Sequence, residues 1–165
     1  MLRIILSMVK SFKKIANQKK IKYFLVTFVD LFGVQRAKLV PTRAIGEMQK
    51  TGAGFGGFAT HLDLSFSEPD MFALPDPDSL IQLPWQPDVG WLASDLVMNN
   101  KLMDQCPRVI LKNQIENLDK LDLAMMTGVE CEFFILNEDG SEVADTRDDA
   151  LKPCYDCLLY TSPSP

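Results

Sequence analysis

The sequence contains a single histidine, His61, in 165 residues. With no second histidine or cysteine at ligand spacing, it argues against a His/Cys metal centre and reads as a structural residue. No apolar run approaches the roughly 20 residues that cross a bilayer, so no membrane partner is expected. Four cysteines, Cys106, Cys131, Cys154 and Cys157, form no disulfide framework, which points to reduced thiols and a cytoplasmic setting. Acid is missing from residues 1–22, which carry seven Lys/Arg, whereas the remainder carries ten Lys/Arg against 22 Asp/Glu. So acidic a body argues against nucleic acid as the main partner. Leu2-Arg3-Ile4-Ile5-Leu6 is too short for a signal-peptide core, and its lysines follow rather than precede it. Ile5, Met8, Phe12 and Ile15 instead fall at helical spacing and predict an amphipathic surface helix over residues 1–20.

Basic residues are also absent between Lys120 and Arg147, where Gly128-Val129-Glu130-Cys131-Glu132-Phe133-Phe134-Ile135-Leu136 occurs. Its aromatic and β-branched content predicts a strand, closed by the turn Asn137-Glu138-Asp139-Gly140. On a strand Glu130 and Glu132 share a face, roughly 7 Å apart. Two carboxylates held that close, with no local counter-charge, favour a cation, and hard oxygen ligands suit Mg²⁺ or Mn²⁺. A solvated Glu face on an ordinary strand is the alternative.

A length of 165 residues accommodates one domain, or a small domain and part of another. Residues 23–29 and 34–40 predict a β-hairpin, with Asp30-Leu31-Phe32-Gly33 as its turn and Asp30 at the tip. By local chemistry Asp30 is a turn former. Residues 42–51 predict a helix capped by Thr42, with Ile45 and Met48 on its apolar side. The following Gly52-Ala53-Gly54-Phe55-Gly56-Gly57 matches G-x-G-x-x-G, but a helix precedes it, so a mobile or closely packed loop is expected rather than a nucleotide site. Residues 61–78 are turn-rich, and their acids read as turn and cap chemistry. Residues 79–85 and 90–97 predict two short strands. Residues 99–106 form a polar connection, and Pro107 opens a helix whose stripe is Val109, Ile110, Ile115 and Leu118. Cys154-Tyr155-Asp156-Cys157 is a lone CxxC, weak evidence for zinc or redox chemistry. From residue 157 the composition changes abruptly, predicting a non-native tail over 157–165.

Taken in order, these segments resemble the glutamine synthetase family. The resemblance rests on Val29-Asp30-Leu31-Phe32-Gly33-Val34-Gln35-Arg36-Ala37-Lys38, on Ser67-Glu68-Pro69-Asp70-Met71-Phe72-Ala73-Leu74-Pro75-Asp76, on Cys106-Pro107-Arg108-Val109-Ile110-Leu111-Lys112 and on the glutamate strand. The wording is closest to the type III, or GlnT-like, branch, which includes ligases for other amines. The resemblance implies an α+β chain: a β-grasp domain over 21–100, then the truncated start of an α/β catalytic domain over 106–156. It implies an ATP-dependent ligase that forms glutamine from glutamate and ammonia through γ-glutamyl phosphate. A ligase for methylamine or another small amine, or a non-catalytic β-grasp interaction module, are the alternatives. It further implies Glu130 and Glu132 as ligands for Mg²⁺ or Mn²⁺, Asp30 as a catalytic residue that helps bind ammonium in a neighbouring subunit's site, and homo-oligomeric stacked rings. The later metal ligands, the ATP-contacting segments and the phosphate-binding arginines have no counterpart in this sequence, so the polypeptide alone is expected to be inactive.

Overall fold

The computed structural model describes residues 11–130 and 133–144. It divides into two compact units, Met1–Leu123 and Ala124–Pro165. Helix and sheet are mixed, in keeping with an α+β chain.

In the first unit, helix α1 (Phe12–Lys19) buries Phe12 and Ala16, four residues apart on one face. This is the described part of the expected N-terminal helix; Ile5 and Met8 lie outside the described residues. Strands β1 (Tyr23–Val29) and β2 (Gln35–Pro41) form the expected hairpin, in antiparallel register from Val29 opposite Gln35 to Tyr23 opposite Pro41. Along β1, Phe24, Val26 and Phe28 are buried at period two, as a half-covered strand requires. The Phe24 ring packs on that of Phe12, with centroids 5.7 Å apart.

After one 3-10 turn (Thr42–Ala44), helix α2 (Ile45–Thr51) buries Ile45 and Met48. Thr42 does not cap it: its hydroxyl donates to the Ile21 carbonyl at 2.8 Å. The glycine-rich segment is closely packed and carries strand β3 (Ala53–Phe55). Gly52, at φ +82, ends α2 where any Cβ would lie 3.0 Å from the Ala73 carbonyl oxygen. Residues 61–78 also hold a strand, β4 (Met71–Pro75), which the turn-rich flanks obscure. Met71 and Ala73 are buried beside exposed Phe72, so the period-two pattern is present but only five residues long.

The last strands are β5 (Ile81–Gln82), β6 (Val89–Met98) and β7 (Lys101–Leu102). The expected polar connection begins as a hairpin, because Asn99 and Asn100 adopt φ 52° and 60° and return the chain from β6 to β7. The sheet order is β2-β1-β6-β4-β3, with β5 and β7 also on β6. β1 and β6 run parallel; the other pairs are antiparallel. Leu92 and Leu96 of β6 join Phe12, Phe24, Ile45, Leu62 and Met71 in one core.

Helix α3 (Pro107–Asp119) starts at the expected proline. Of its predicted stripe only Val109 is buried; Ile110 and Ile115 are 42% and 48% exposed. The helix is held instead through charge. Arg108 reaches Asp76 at 2.6 Å and Asp95 at 3.0 Å, and Lys112 reaches Asp95 at 2.6 Å. Arg108 and Lys112 are one helical turn apart and meet one carboxylate on β6, Asp95, and one just past β4, Asp76. Burial alone would raise the Asp76 carboxyl, but the Arg108 hydrogen bond, the Asp78 N–H and the nearby cations hold it below the usual range.

The second unit is sparse in regular structure. Residues 124–130 are irregular, and the predicted strand over 128–136 is not laddered; within the described part only Leu136 pairs, opposite Val143. The predicted turn is present: the Gly140 N–H donates to the Asn137 carbonyl at 2.8 Å, with Gly140 at φ +72. Asp139 accepts from the Ser141 N–H and hydroxyl, and these bonds lower its carboxyl.

Two outcomes follow for stability. The Ser94 hydroxyl is buried on β6 without a hydrogen-bond partner among the described residues. Ser94→Ala is expected to be neutral or about 1 kcal/mol more stable in urea unfolding, while neighbouring Leu92→Ala loses about 2–5 kcal/mol. Because the folded-state value of Asp76 is depressed, its contribution is present above the ordinary carboxylate pKa of about 3.9 and is lost as pH falls through the folded value. Arg108→Ala should remove about 1–2 kcal/mol at neutral pH and lessen the fall in melting temperature below pH ~4.

Candidate functional site

The hairpin between β1 and β2 ends in an inverted arrangement: its charge is inside and its apolar groups are outside. Asp30 has no exposed side-chain surface, whereas Phe32 is 76% and Leu31 50% exposed. Gly33 takes φ +78 and lets the chain reverse; its N–H donates to the Asp30 carbonyl at 3.1 Å. The Phe32 and Val34 N–H groups both donate to Asp30 Oδ1, at 2.9 and 3.0 Å. Arg36 approaches Oδ2 with Nε and Nη2, each at 2.8 Å. Both oxygens are therefore engaged, and local reading of Asp30 as the turn former agrees with its geometry.

Burial alone would raise the Asp30 carboxyl. The Val34 N–H, the Arg36 hydrogen bond, the Phe32 N–H and the guanidinium charge outweigh it and hold the group below its ordinary value. Asp30 is thus an ionised group fixed at a projecting, apolar tip.

Two residues of this cluster escaped the sequence. Arg36 lies in the expected returning strand, and the register that puts it opposite Phe28 sets it within reach of Asp30. His61 comes from a segment 31 residues away, and nothing local announces it. Its Nδ1 lies 3.0 Å from Arg36 Nη2 and 3.8 Å from Asp30 Oδ2.

Glu130 is exposed in the second unit, and Glu132 lies outside the described residues. The hard oxygens of Glu130 suit a magnesium or manganese ion. One carboxylate does not make a site, and no group of three His, Cys, Asp or Glu gathers among the described residues. Asp30 belongs to the first unit and Glu130 to the second. The CxxC and the predicted tail lie outside the described residues.

Residues 104–155 match the family described as glutamine synthetase, catalytic domain. Over 141 residues the chain is 55% identical to a glutamine synthetase of Rhizobium leguminosarum bv. phaseoli, covering 86% of this chain and 32% of that protein. This chain belongs to the glutamine synthetase family. It is also 33% identical to a glutamate–methylamine ligase of Methyloversatilis universalis, over 85% of this chain and 33% of that protein. A solved GmaS/ADP complex superposes with a TM-score of 0.82 at 49% identity, over 93% of this chain and 36% of that one. The chain therefore spans about a third of the length of the family members it matches.

If Asp30 organises the tip, Asp30→Asn should accelerate hydrogen exchange at the Phe32 and Val34 amides by about tenfold or more. Exchange at Val26, in the middle of β1, should be unchanged.

Proposed function

We propose that the protein carrying this chain is an ATP-dependent ligase that joins glutamate to ammonia. The 55% identity to a glutamine synthetase over 141 residues carries the reading. In the reaction, a γ-carboxylate oxygen of glutamate attacks the γ-phosphorus of ATP and ADP leaves. The amine nitrogen then attacks the acyl carbon of γ-glutamyl phosphate, and phosphate leaves. A second reading keeps this chemistry and replaces ammonia with methylamine or another small amine, favoured by the likeness to a glutamate–methylamine ligase.

We read residues 21–100 as a β-grasp domain, with support from the β1–β2 hairpin and the parallel pairing of β1 with β6. Residues 106–156 are read as the opening of the catalytic domain, with support from the match over 104–155. Asp30 is the candidate on the amine side. A carboxylate held ionised favours a cationic ammonium nearby and then withdrawal of its proton. Its present partners leave no free lone pair, so contact with an amine requires one hydrogen bond to open. The exposed Leu31 and Phe32 suit contact with a neighbouring copy in a ring-shaped homo-oligomer, with Asp30 reached once that bond opens. Phe32 and Leu31 beside it offer an apolar surface that tolerates a methyl group.

Glu130 and Glu132 are the candidate ligands for Mg²⁺ or Mn²⁺, as part of a site completed by residues elsewhere. Such ions, when bound, neutralise phosphate oxygens during phosphoryl transfer. A cytoplasmic setting belongs to the same reading, since the buried Cys106 is a free thiol.

ADP release by a full-length form tests the proposal. It should require both glutamate and an amine, and the ratio of kcat/KM for ammonium and methylamine should decide between the acceptors. ADP release that does not respond to glutamate would overturn the ligase reading. Glu130→Gln and Glu132→Gln should each weaken Mn²⁺ binding about tenfold or more; unchanged affinity would remove them as ligands.

A further inference from the structure

His61 was singled out by its solitude in the sequence and has no part in the chemistry above. It nevertheless touches the hairpin tip in three independent ways. Its backbone carbonyl accepts the Leu31 N–H at 3.3 Å. Its Nδ1 lies 3.0 Å from Arg36 Nη2. Its ring stands edge-on to Phe32, with centroids 5.3 Å apart and planes at 85°. The residue does this from a left-handed backbone, at φ 50°, a region in which His, Asn and Asp are the enriched side-chain-bearing residues.

The hydrogen-bond chemistry has one solution. A guanidinium only donates, so the Arg36–His61 contact exists only if Nδ1 offers its lone pair and the ring proton sits on Nε2. Arg36 Nη2 then bridges two acceptors, Asp30 Oδ2 at 2.8 Å and His61 Nδ1 at 3.0 Å, while Nε adds a second bond to Asp30 at 2.8 Å. Without His61, the guanidinium keeps both bonds to Asp30 but loses the second acceptor of Nη2. Arg36 itself is 31% exposed along its side chain and could otherwise turn towards water.

We propose that His61 is a positioning residue, whose Nδ1 and ring edge lock Arg36 and Phe32 and thereby fix the Asp30 tip. It acts on the amine side of the reaction through Arg36 and touches no reacting atom. The assignment of the amine side rests on the ligase reading; the lock itself does not.

The chain contains one histidine, so its imidazole nitrogens give unambiguous NMR signals. At neutral pH, Nδ1 should resonate as an unprotonated and Nε2 as a protonated nitrogen. Arg36→Lys should shift the ring towards an averaged tautomer mixture. A protonated Nδ1, or a ring already averaged like free histidine, overturns the lock whatever the protein catalyses.

Activity of a full-length form then tests the consequence. His61→Gly keeps the left-handed backbone but removes the acceptor, and should raise KM for the amine about tenfold. KM for glutamate and ATP should stay within about twofold. His61→Asn suits a positive φ and sets Oδ1 near the place of Nδ1; it should restore the amine KM to within about threefold. A uniform fall in kcat with every substrate, or no rescue by Asn, overturns the positioning role. If the tautomer is as stated and no amine supports ADP release, the ligase reading falls and the lock stands.

Discussion

Backbone pairing governs what this chain can build. β6 is ten residues long, and two partners share each half of it: β1 and β5 along residues 89–93, β4 and β7 along residues 94–98. A buried strand tolerates few unpaired N–H and C=O groups, so β1, β4, β5 and β7 pair with this one, and β2 and β3 add outside β1 and β4. The residues that carry its inward face, Leu92 and Leu96, are then placed at the centre of the core. Residues 128–136 illustrate the same constraint from the other side. Their composition suits a strand as well as that of β1 does, yet only Leu136 within the described part finds a partner. Composition prepares a strand, and a neighbour makes it one.

Charge is handled in two different ways. At the hairpin, one carboxylate is buried and its oxygens are engaged by two backbone N–H groups and a forked Arg36, an arrangement that compensates desolvation locally. At α3, Arg108 and Lys112 meet Asp76 and Asp95 in a half-exposed row. The first arrangement shapes a single tight turn. The second fastens a helix whose apolar residues are largely uncovered, so ionic contacts carry more of the attachment than is usual for a helix on a sheet.

How much could be read in advance follows from the range of each interaction. β1, the Asp30 turn, the proline-initiated helix and the Asn137–Gly140 turn are set by residues within a few positions of one another, and all were legible. The family membership was legible because several such local signatures recur in order. β4 was missed because its five residues lie between proline- and aspartate-rich turns that dominate the local pattern. Arg36 and His61 were missed as partners of Asp30 because their meeting depends on hairpin register and on a contact across 25 residues. The Arg108 clasp joins positions 32 and 13 residues apart and has no local signature either. For Asp30 the turn chemistry was legible in the sequence, while its enclosure by Arg36 and His61 required the fold.

The parallel pairing of β1 with β6 has a consequence in time. The Thr27 hydroxyl donates to the Leu92 carbonyl across 65 residues, and among the described residues no nearer strand pairs with β1 in parallel. During synthesis at about 5–20 residues per second, the β1–β2 hairpin leaves the ribosome several seconds before β6 can join it. A two-stranded hairpin is only marginally stable in water. The second edge of β1 therefore stays unpaired until β6 emerges, and closing so long a loop makes this step slow compared with helix formation. The strand left longest with an open edge in the nascent chain is thus one that ends paired on both sides.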